Sequence, residues 1–281
     1  MKLYYTLTKP GIVLGNLMTA AAGFFLASGG HLDYGLGAAV LIGLALIMAS
    51  ASVFNNYLDR ESDGKMERTK QRPLVKKAIS TLHALLFAAG LGISGIGVLW
   101  AWTNWLALSI ALAGFVIYVI LYFILKRRSE HATLMGSLAG AVPPVVGYCA
   151  VTDRLDAGAL ILFLILLLWQ MPHFFAIAVY RIDDYAAASI PVLPVKKGIE
   201  ATKVQMLLYI VAFIATVPLL TLFHYAGYTY LIVVALFGMV WLGLGFRGFV
   251  NDNPQQWARK MFRFSLVTIL VLCLMMAVDS Y

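Results

Sequence analysis

The apolar run AVLIGLALIMASASVF, residues 39–54, leads without a break into the charged segment NNYLDRESDGKMERTKQRP, residues 55–73. The first stretch is typical of a membrane-spanning helix, and the second is the densest block of charge in the chain. Asn55, Asp59 and Asp63 follow one another at intervals of four residues. Each such step drifts by only about 40° around a helix, so the sequence predicts that all three side chains share one helical face.

This shared face offers two carboxylates and one amide, which are hard oxygen ligands of the kind that Mg²⁺ prefers. Bound Mg²⁺ usually takes its remaining ligands from water and phosphate oxygens, and Arg and Lys residues follow at once in this sequence. The pattern therefore indicates a site for Mg²⁺ and a diphosphate at the mouth of a helical bundle. A solvated, salt-bridged loop between two membrane helices has the same composition, so the spacing alone leaves both interpretations open.

The composition identifies an integral membrane protein. Of the 281 residues, 62% are hydrophobic and only 12% are charged, whereas a soluble domain is about half apolar and one quarter charged. The net charge of +8 does not require a nucleic-acid partner, because positive residues also set membrane topology. The two cysteines, Cys149 and Cys273, lie in apolar runs, and we expect them to be core residues rather than a disulfide.

Nine apolar segments follow one another along the chain, each close to the roughly 20 residues that cross a hydrocarbon core of about 30 Å. They predict an all-α fold, a bundle of nine transmembrane helices that forms one intramembrane domain over residues 1–281. The segments are residues 11–28, 36–58, 81–101, 105–125, 133–151, 158–180, 204–223, 229–246 and 261–279.

The distribution of basic residues predicts the orientation of these helices. With the N-terminus in the cytoplasm, all but one of the 21 Lys and Arg residues lie in cytoplasmic segments, and the exception is Arg154. Cytoplasmic loops carry an excess of Lys and Arg. We therefore expect a cytoplasmic N-terminus, a periplasmic C-terminus, and any polar chemistry at the cytoplasmic face.

A second polar constellation lies around the end of the sixth segment, WQMPHFFAIAVYRIDDYAAASIPVLPVKKG, residues 169–198. Tyr180 and Asp184 repeat the four-residue spacing, and Pro172 is expected to break the helical ladder and kink the helix near His173. An intramembrane His is either satisfied by an interhelical hydrogen bond or available to a metal centre or a polar substrate. The acidic residues fit a solvated helix end equally well.

Two acidic motifs at cytoplasmic helix ends of a nine-helix protein resemble the UbiA-type intramembrane prenyltransferases. A narrower set of motifs resembles their haem branch, the protoheme IX farnesyltransferases or haem O synthases of bacteria. This set spans nearly the whole chain, and WQ-x-PHF followed by DY and P-x-LPV is the part specific to the haem branch. The motifs are TKP at 8–10, VFNNYLDRESDGKMERTKQRP at 53–73, GSLAGAVPPVVGY at 136–148, WQMPHF at 169–174 and DYAAASIPVLPV at 184–195.

The resemblance implies a reaction in the bacterial inner membrane. Farnesyl diphosphate alkylates a vinyl group of haem b, water adds, and haem O and diphosphate are released. Mg²⁺ is the implied cofactor, and a haem A synthase or a haem-copper terminal oxidase is the implied recipient of the product. The apolar bundle would keep water from the allylic cation and accept the farnesyl tail.

The resemblance also assigns roles to residues. Mg²⁺ would be held by Asn55, Asp59 and Asp63, and the diphosphate by Lys9, Arg68, Arg72, Lys126 and Arg127. The catalytic set would comprise Asn55, Asp59 and Asp63 with Tyr180 and Asp184 of the second motif, and His173 would lie near the haem. That second motif departs from the family pattern, because Tyr180 stands where many members have an acid. A second Mg²⁺ would then bind less strongly, or Tyr180 would serve the haem acceptor instead.

Two other functions fit parts of the sequence. A UbiA-type enzyme for an aromatic quinone precursor shares the first acidic motif, although residues 169–174 argue against it. A haem carrier or transporter without chemistry shares the membrane fold. Its ion pathway would need polar helix centres, and here the charges cluster at one membrane face.

Overall fold

The computed structural model describes residues 2–281, and nine long apolar helices account for most of them. We label them α1 to α9 in chain order. Their bounds are Pro10–Ser28, Tyr34–Asp63, Thr81–Trp102, Trp105–Lys126, Ala132–Thr152, Ala157–Tyr180, Gly198–Leu222, Tyr228–Val250 and Pro254–Val278. The predicted number and order of apolar helices are confirmed, and the described residues contain no β-strand beyond one isolated bridge between Ala226 and Ser280.

Side-chain caps define where five of these helices begin. In each case a polar residue in the preceding connection accepts a hydrogen bond from the backbone N–H three residues later, which satisfies one of the free donors of the first turn. The capping residues of α2, α3, α4, α6 and α9 are Asp33, Ser80, Asn104, Asp156 and Asn253. The short connections thus fix the helix starts as well as reversing the chain.

Three helices extend by five or more residues beyond their predicted apolar segments at the end of the bundle that carries most of the charge. α2 continues to Asp63 instead of residue 58, α7 begins at Gly198 instead of 204, and α9 begins at Pro254 instead of 261. Hydropathy predicts only the part of a helix that crosses hydrocarbon. Polar turns at the interface continue the same backbone ladder without an apolar signal.

The helices pack as a closed ring in which each member contacts its neighbours in the chain and α9 returns to α1. α5 also packs against α1, and α6 also packs against α9, so these four helices form the centre. α5 and α6 are the most buried of the nine, whereas α3, α4 and α8 expose most of their apolar side chains. Those exposed faces are suited to contact with lipid.

The crossing of α1 and α5 is a direct contact between backbones. A Cβ atom added at Gly23 would lie 2.0 Å from the carbonyl oxygen of Pro144, and one added at Gly147 would lie 2.0 Å from that of Ala20. Neither distance is sterically possible, so both positions require glycine. Small residues that let helix backbones approach closely are typical of membrane bundles.

Four of the helices contain irregular turns: α7 is divided at Val217, just before Pro218, and α8 ends in a 3₁₀ turn at Arg247–Val250. α5 is divided at Ala141, just before Pro143 and Pro144, and α4 contains a π-helical turn at Ile117–Leu121. α6 is helical from Ala157 to Tyr180 with Pro172 inside it, so the helix does not end there, and the kink near His173 stays a prediction. A proline removes one backbone donor, and here the turns on either side keep the helix intact.

Candidate functional site

The three polar residues at the end of α2 lie on one helical face, as their spacing predicts. Asn55, Asp59 and Asp63 are only 3%, 2% and 1% exposed. The Asn55 amide Nδ2 donates to Asp59 Oδ2 at 3.0 Å. Buried carboxylates need compensating partners, and the rest of the cluster supplies them.

Three basic side chains from three different segments converge on this face. Lys126 Nζ, at the end of α4, lies 2.6 Å from Asp59 Oδ2. Arg72 Nη1 lies 2.5 Å from Asp63 Oδ2, and Lys9 Nζ donates to Asn55 Oδ1 at 2.5 Å. The cluster therefore holds two carboxylates against three basic groups, and its positive excess favours an anionic ligand.

Lys9 owes its position to an unusual backbone conformation. Its φ of 50° and ψ of 61° place it in the left-handed region, immediately before Pro10 at the start of α1. Such a conformation is costly for a residue with a side chain and is often found at functional sites. Burial, followed by the charge of Arg72, lowers the pKa of the Lys9 amine to about 7. An anion bound beside it would favour its charged form.

One oxygen of this cluster has no partner. Asp59 Oδ1 is fully buried and makes no hydrogen bond with any group in residues 2–281. A buried, charged oxygen left unpaired is expensive, so its position fits a cation or a bound water. No group of three or more His, Cys, Asp or Glu side chains is placed to hold a metal within that range. Two carboxylates and an amide fit Mg²⁺ only if substrate or water completes its shell.

Asp184 lies at the edge of this cluster and holds a loop. It belongs to the short helix Ile182–Ala187, and its Oδ1 accepts a hydrogen bond from the backbone N–H of Glu67 at 3.0 Å. Its Oδ2 lies 3.8 Å from Arg181, and the next residue, Tyr185, accepts from Arg68 at 3.3 Å. This contact fastens the loop between α2 and α3 across the mouth of the bundle.

The remaining predicted site residues lie outside the buried cluster. Arg127 donates to the carbonyl of Leu58 at 3.2 Å and is well exposed. Tyr180 packs against the ring of Phe262, and two arginines lie over its own ring. The structure thus joins Lys9, Arg72 and Lys126 to the acids of α2 and leaves Arg68, Arg127 and Tyr180 at the rim.

His173 forms a separate polar group between α6 and α9. Its Nδ1 lies 2.7 Å from the Ser265 hydroxyl, and its ring stacks on Trp169 with centroids 4.9 Å apart. Phe262 flanks the imidazole at 5.0 Å. The interhelical hydrogen bond considered for His173 is therefore present, and the ring is also partly exposed.

Two residues of α4 that the sequence pattern did not single out belong to the site. Tyr118 and Tyr122 stack on each other with centroids 5.7 Å apart, and Lys126 Nζ lies 5.7 Å from the Tyr122 ring. Tyr122 lies one turn and Tyr118 two turns before Lys126 in the chain. The repeated spacing of four residues, the same as in α2, was the signal that could have identified them.

Gln170 was also missed as a site residue. Its side chain is buried, with only 5% of the residue exposed. A Cβ at Gly140 would lie 2.1 Å from its Oε1, and a Cβ at Gly136, one turn away, would lie 3.4 Å from the Tyr122 ring. The same face of α5 therefore contacts Gln170 and Tyr122. A polar residue inside an apolar run is the signal that marks it.

Comparison with known proteins gives consistent results. Residues 16–267 match the UbiA prenyltransferase family. A protein named protoheme IX farnesyltransferase from Protochlamydia amoebophila (strain UWE25) is 55% identical over 276 residues, which cover 98% of each chain. One of the same name from Serratia proteamaculans (strain 568) is 53% identical, over 99% of this chain and 95% of the relative.

Solved structures share the fold at low sequence identity. A structure described as that of digeranylgeranylglyceryl phosphate synthase superposes with a TM-score of 0.81 at 20% identity, over 99% of this chain and 97% of that one. A UbiA homologue from Archaeoglobus fulgidus, bound to GPP and Mg²⁺, gives a TM-score of 0.72 at 15% identity, over 98% and 100%. These two comparisons bear on the fold alone.

Proposed function

Because this chain belongs to the UbiA prenyltransferase family, and within it to the protoheme IX farnesyltransferases, we propose that it farnesylates haem b. The bond between C1 of the farnesyl group and the diphosphate breaks, and C1 joins the terminal carbon of a haem vinyl group. A water oxygen adds to the adjacent carbon and releases a proton. The products are haem O and diphosphate.

The observation that carries this proposal is the buried cluster at the end of α2. Asp59 and Asp63 are held on a rigid helix among three basic groups, and Asp59 Oδ1 has no partner in residues 2–281. Asn55, Asp59 and Asp63 would hold Mg²⁺ here. When bound, the ion would stabilise the negative charge that develops on the departing diphosphate. The Archaeoglobus fulgidus homologue of the same fold has Mg²⁺ bound together with GPP, and we propose the same ion here.

The basic residues bind and orient the leaving group. Lys126 and Arg72 already face the site through ion pairs with the two acids, and a diphosphate would share these donors with the carboxylates. Lys9 adds a third donor, which anion binding would charge fully. Arg68 and Arg127 lie at the rim, where they would attract the anion towards the site rather than contact the breaking bond.

The second motif closes the site in this proposal. Asp184 ties the α2–α3 loop to the short helix after α6, which limits access of water to the mouth. The apolar interior between the helices receives the farnesyl chain. Stacked Tyr118 and Tyr122 present electron-rich faces beside Lys126, an arrangement that favours a nearby cation.

We assign the haem to the side of the bundle that carries His173. The flat rings of Trp169 and Phe262 suit an apolar macrocycle, and the imidazole offers a polar contact between them. Tyr180, against the same Phe262, belongs to this acceptor side rather than to a second metal site. With the N-terminus in the cytoplasm of a bacterial cell, the diphosphate site opens on the cytoplasmic face of the inner membrane, and haem O passes to a haem A synthase or a terminal oxidase.

The experiment that tests the proposal is mass spectrometry of haem extracted from membranes that express the chain, with Asp59→Asn as the comparison. We expect a haem carrying a farnesyl group plus water in the first sample and none in the second. Unmodified haem b in both samples, with the protein folded and supplied with Mg²⁺ and farnesyl diphosphate, contradicts it. Purified protein that prenylates 4-hydroxybenzoate but not haem would instead identify a quinone-precursor enzyme.

A further inference from the structure

We propose that Ser265 is a positioning residue that fixes the tautomer of His173, so that the imidazole presents the lone pair of Nε2 to the iron of the haem acceptor. This inference rests on the proposed function, because it requires a haem at this position. It concerns a residue of α9 that lies 92 positions from His173 in the chain.

The tautomer follows from two short contacts of one hydroxyl group. Ser265 Oγ lies 2.6 Å from the carbonyl oxygen of Phe262 and 2.7 Å from His173 Nδ1. Two oxygens at 2.6 Å need a proton between them, and only the serine hydroxyl can supply it. That proton is then not available to His173. The hydroxyl accepts from the imidazole, so the proton lies on Nδ1 and Nε2 carries the lone pair.

The same pair of helices also fixes the orientation of the ring. Trp169, one turn before His173, stacks on the imidazole and donates its indole N–H to the backbone carbonyl of Ser265 at 3.0 Å. Phe262 flanks the ring at 5.0 Å. Ser265 therefore receives hydrogen bonds from two residues of α6 separated by one turn, which resists rotation of the imidazole about its side-chain bonds.

The other ring nitrogen, Nε2, has no partner among residues 2–281. His173 itself is partly exposed. A hydrogen bond on one nitrogen that orients the other is the usual arrangement of metal-binding histidines. A histidine kept only for packing would have no need of an oriented lone pair without a partner.

Ligation through Nε2 would give the haem a defined position. An axial ligand fixes the iron, and the flanking rings restrict the plane of the macrocycle. The reacting vinyl carbon is then held relative to C1 of the farnesyl group, and positioning of this kind supplies much of the rate of a two-substrate reaction. Ser265 would act through His173 and would not touch either substrate.

The test is haem binding in the absence of farnesyl diphosphate, so that it does not depend on turnover. Purified protein is titrated with haem b, and the absorption and electron paramagnetic resonance spectra report the axial ligand. We expect Ser265→Ala to weaken haem binding by about 10- to 100-fold and to alter the spectrum of the histidine-ligated form. Ser265→Thr keeps the hydroxyl and should restore both.

Two further variants separate positioning from packing. Thr268→Ala removes another fully buried hydroxyl of α9, one that donates only to the backbone carbonyl of Phe264 at 3.0 Å; it should keep both the ligand spectrum and the affinity for haem. His173→Gly should lose the spectrum and regain it with added imidazole. Melting temperatures of all variants check that each one folds.

The outcomes distinguish this inference from the proposed function. A wild-type spectrum and affinity in Ser265→Ala, or an equal loss in Thr268→Ala, overturns the role of Ser265. A wild-type protein that produces farnesylated haem without any histidine-ligated form overturns the inference and leaves the proposed function standing. A folded protein that neither binds nor modifies haem overturns both.

Discussion

The end of α2 and the short helix Ile182–Ala187 both place acids after an apolar helix, yet they use those acids differently. In α2 the helix continues unbroken, so Asp59 and Asp63 are buried and paired with Lys126 and Arg72. α6 ends at Tyr180, and Asp184 lies in the separate short helix that follows, where its largely buried carboxylate binds the backbone of a loop. The two motifs therefore differ in whether the helix continues past the acids and in whether basic groups converge on them.

The sharpest test of this difference is a matched pair of acid-to-amide changes. Asp59→Asn should reduce the rate of farnesyl transfer by about 100-fold or more, because it removes a charge from the group that we propose holds Mg²⁺ against the departing diphosphate. Asp184→Asn keeps an acceptor for the Glu67 N–H and should cost about 10-fold or less. Rates are measured with purified protein, farnesyl diphosphate and haem b.

Exposed Asp183 gives the control for this pair, since its nearest partner is Gln255 at 3.4 Å. Asp183→Asn should retain the full rate. Equal losses in Asp59→Asn and Asp184→Asn would remove the distinction between the two motifs.

Removal of Lys126, the partner of Asp59, should destabilise the fold more than removal of Arg181, the partner of Asp184. Lys126→Met leaves the buried Asp59 carboxylate without its main countercharge and should destabilise the fold by about 3 kcal/mol. Arg181→Met breaks a 3.8 Å contact made by a half-exposed side chain and should cost less than about 1 kcal/mol. Thermal unfolding in detergent gives the comparison.

A double change identifies the cause. Asp59→Asn combined with Lys126→Met removes both charges, and the melting temperature should return towards that of the wild type. If the double variant is as unstable as Lys126→Met, loss of packing rather than an unpaired charge explains the effect.

Loss of the Asp184 carboxylate, but not of the Asp59 charge, should make the loop between α2 and α3 more mobile. Asp184→Ala removes the acceptor of the Glu67 N–H, so the segment around Lys65 and Lys70 should open more often. We expect trypsin to cleave this loop several-fold faster than in the wild type. Asp59→Asn, whose helix ends before the loop, should leave the rate of cleavage within about twofold.

The smallest change in melting temperature is expected for Glu130, which lies in the connection between α4 and α5. Glu130 pairs with Lys197, and this hydrogen bond lowers the pKa of the Glu130 carboxyl below its usual 4.5. A lowered pKa means that the pair stabilises the folded state above pH 4.5 and that this contribution disappears as the pH falls further. The melting temperature of Glu130→Gln should lie slightly below the wild type at pH 7 and converge with it in acid. Divergence in acid would contradict the sign of the shift.

The features that are local in the chain could be predicted from it. Hydropathy gave the nine helices, and a four-residue spacing placed Asn55, Asp59 and Asp63 on one face, because both signals lie within a few turns of one helix. The same spacing could not predict that Asp184 would bind the backbone of Glu67, since that contact joins residues 117 positions apart.

Other parts of the site depend on packing between distant helices. Ser265 has no distinguishing neighbour in the sequence, and only the contact of α6 with α9 brings it to His173. Tyr118 and Tyr122 have the composition of membrane-interface aromatics, and their stacking beside Lys126 depends on which way α4 faces. Pro172 lies inside a helix that continues to Tyr180, so a proline in an apolar run does not by itself predict where a helix ends.

The backbone contact at Gly23 and Gly147 fixes one point of α1 against α5, so a change in tilt at this pivot moves the distant end of α1. Gly23 is 14 residues from Lys9, so about 21 Å of helix separates the pivot from the amine that reaches Asn55. A tilt of about 5° at the pivot would carry that amine roughly 2 Å, and displacements of about 1 Å already cost activity. A single methyl group added at Gly23 would therefore tilt α1 and move the Lys9 amine relative to Asn55, although Gly23 itself lies far from the cluster.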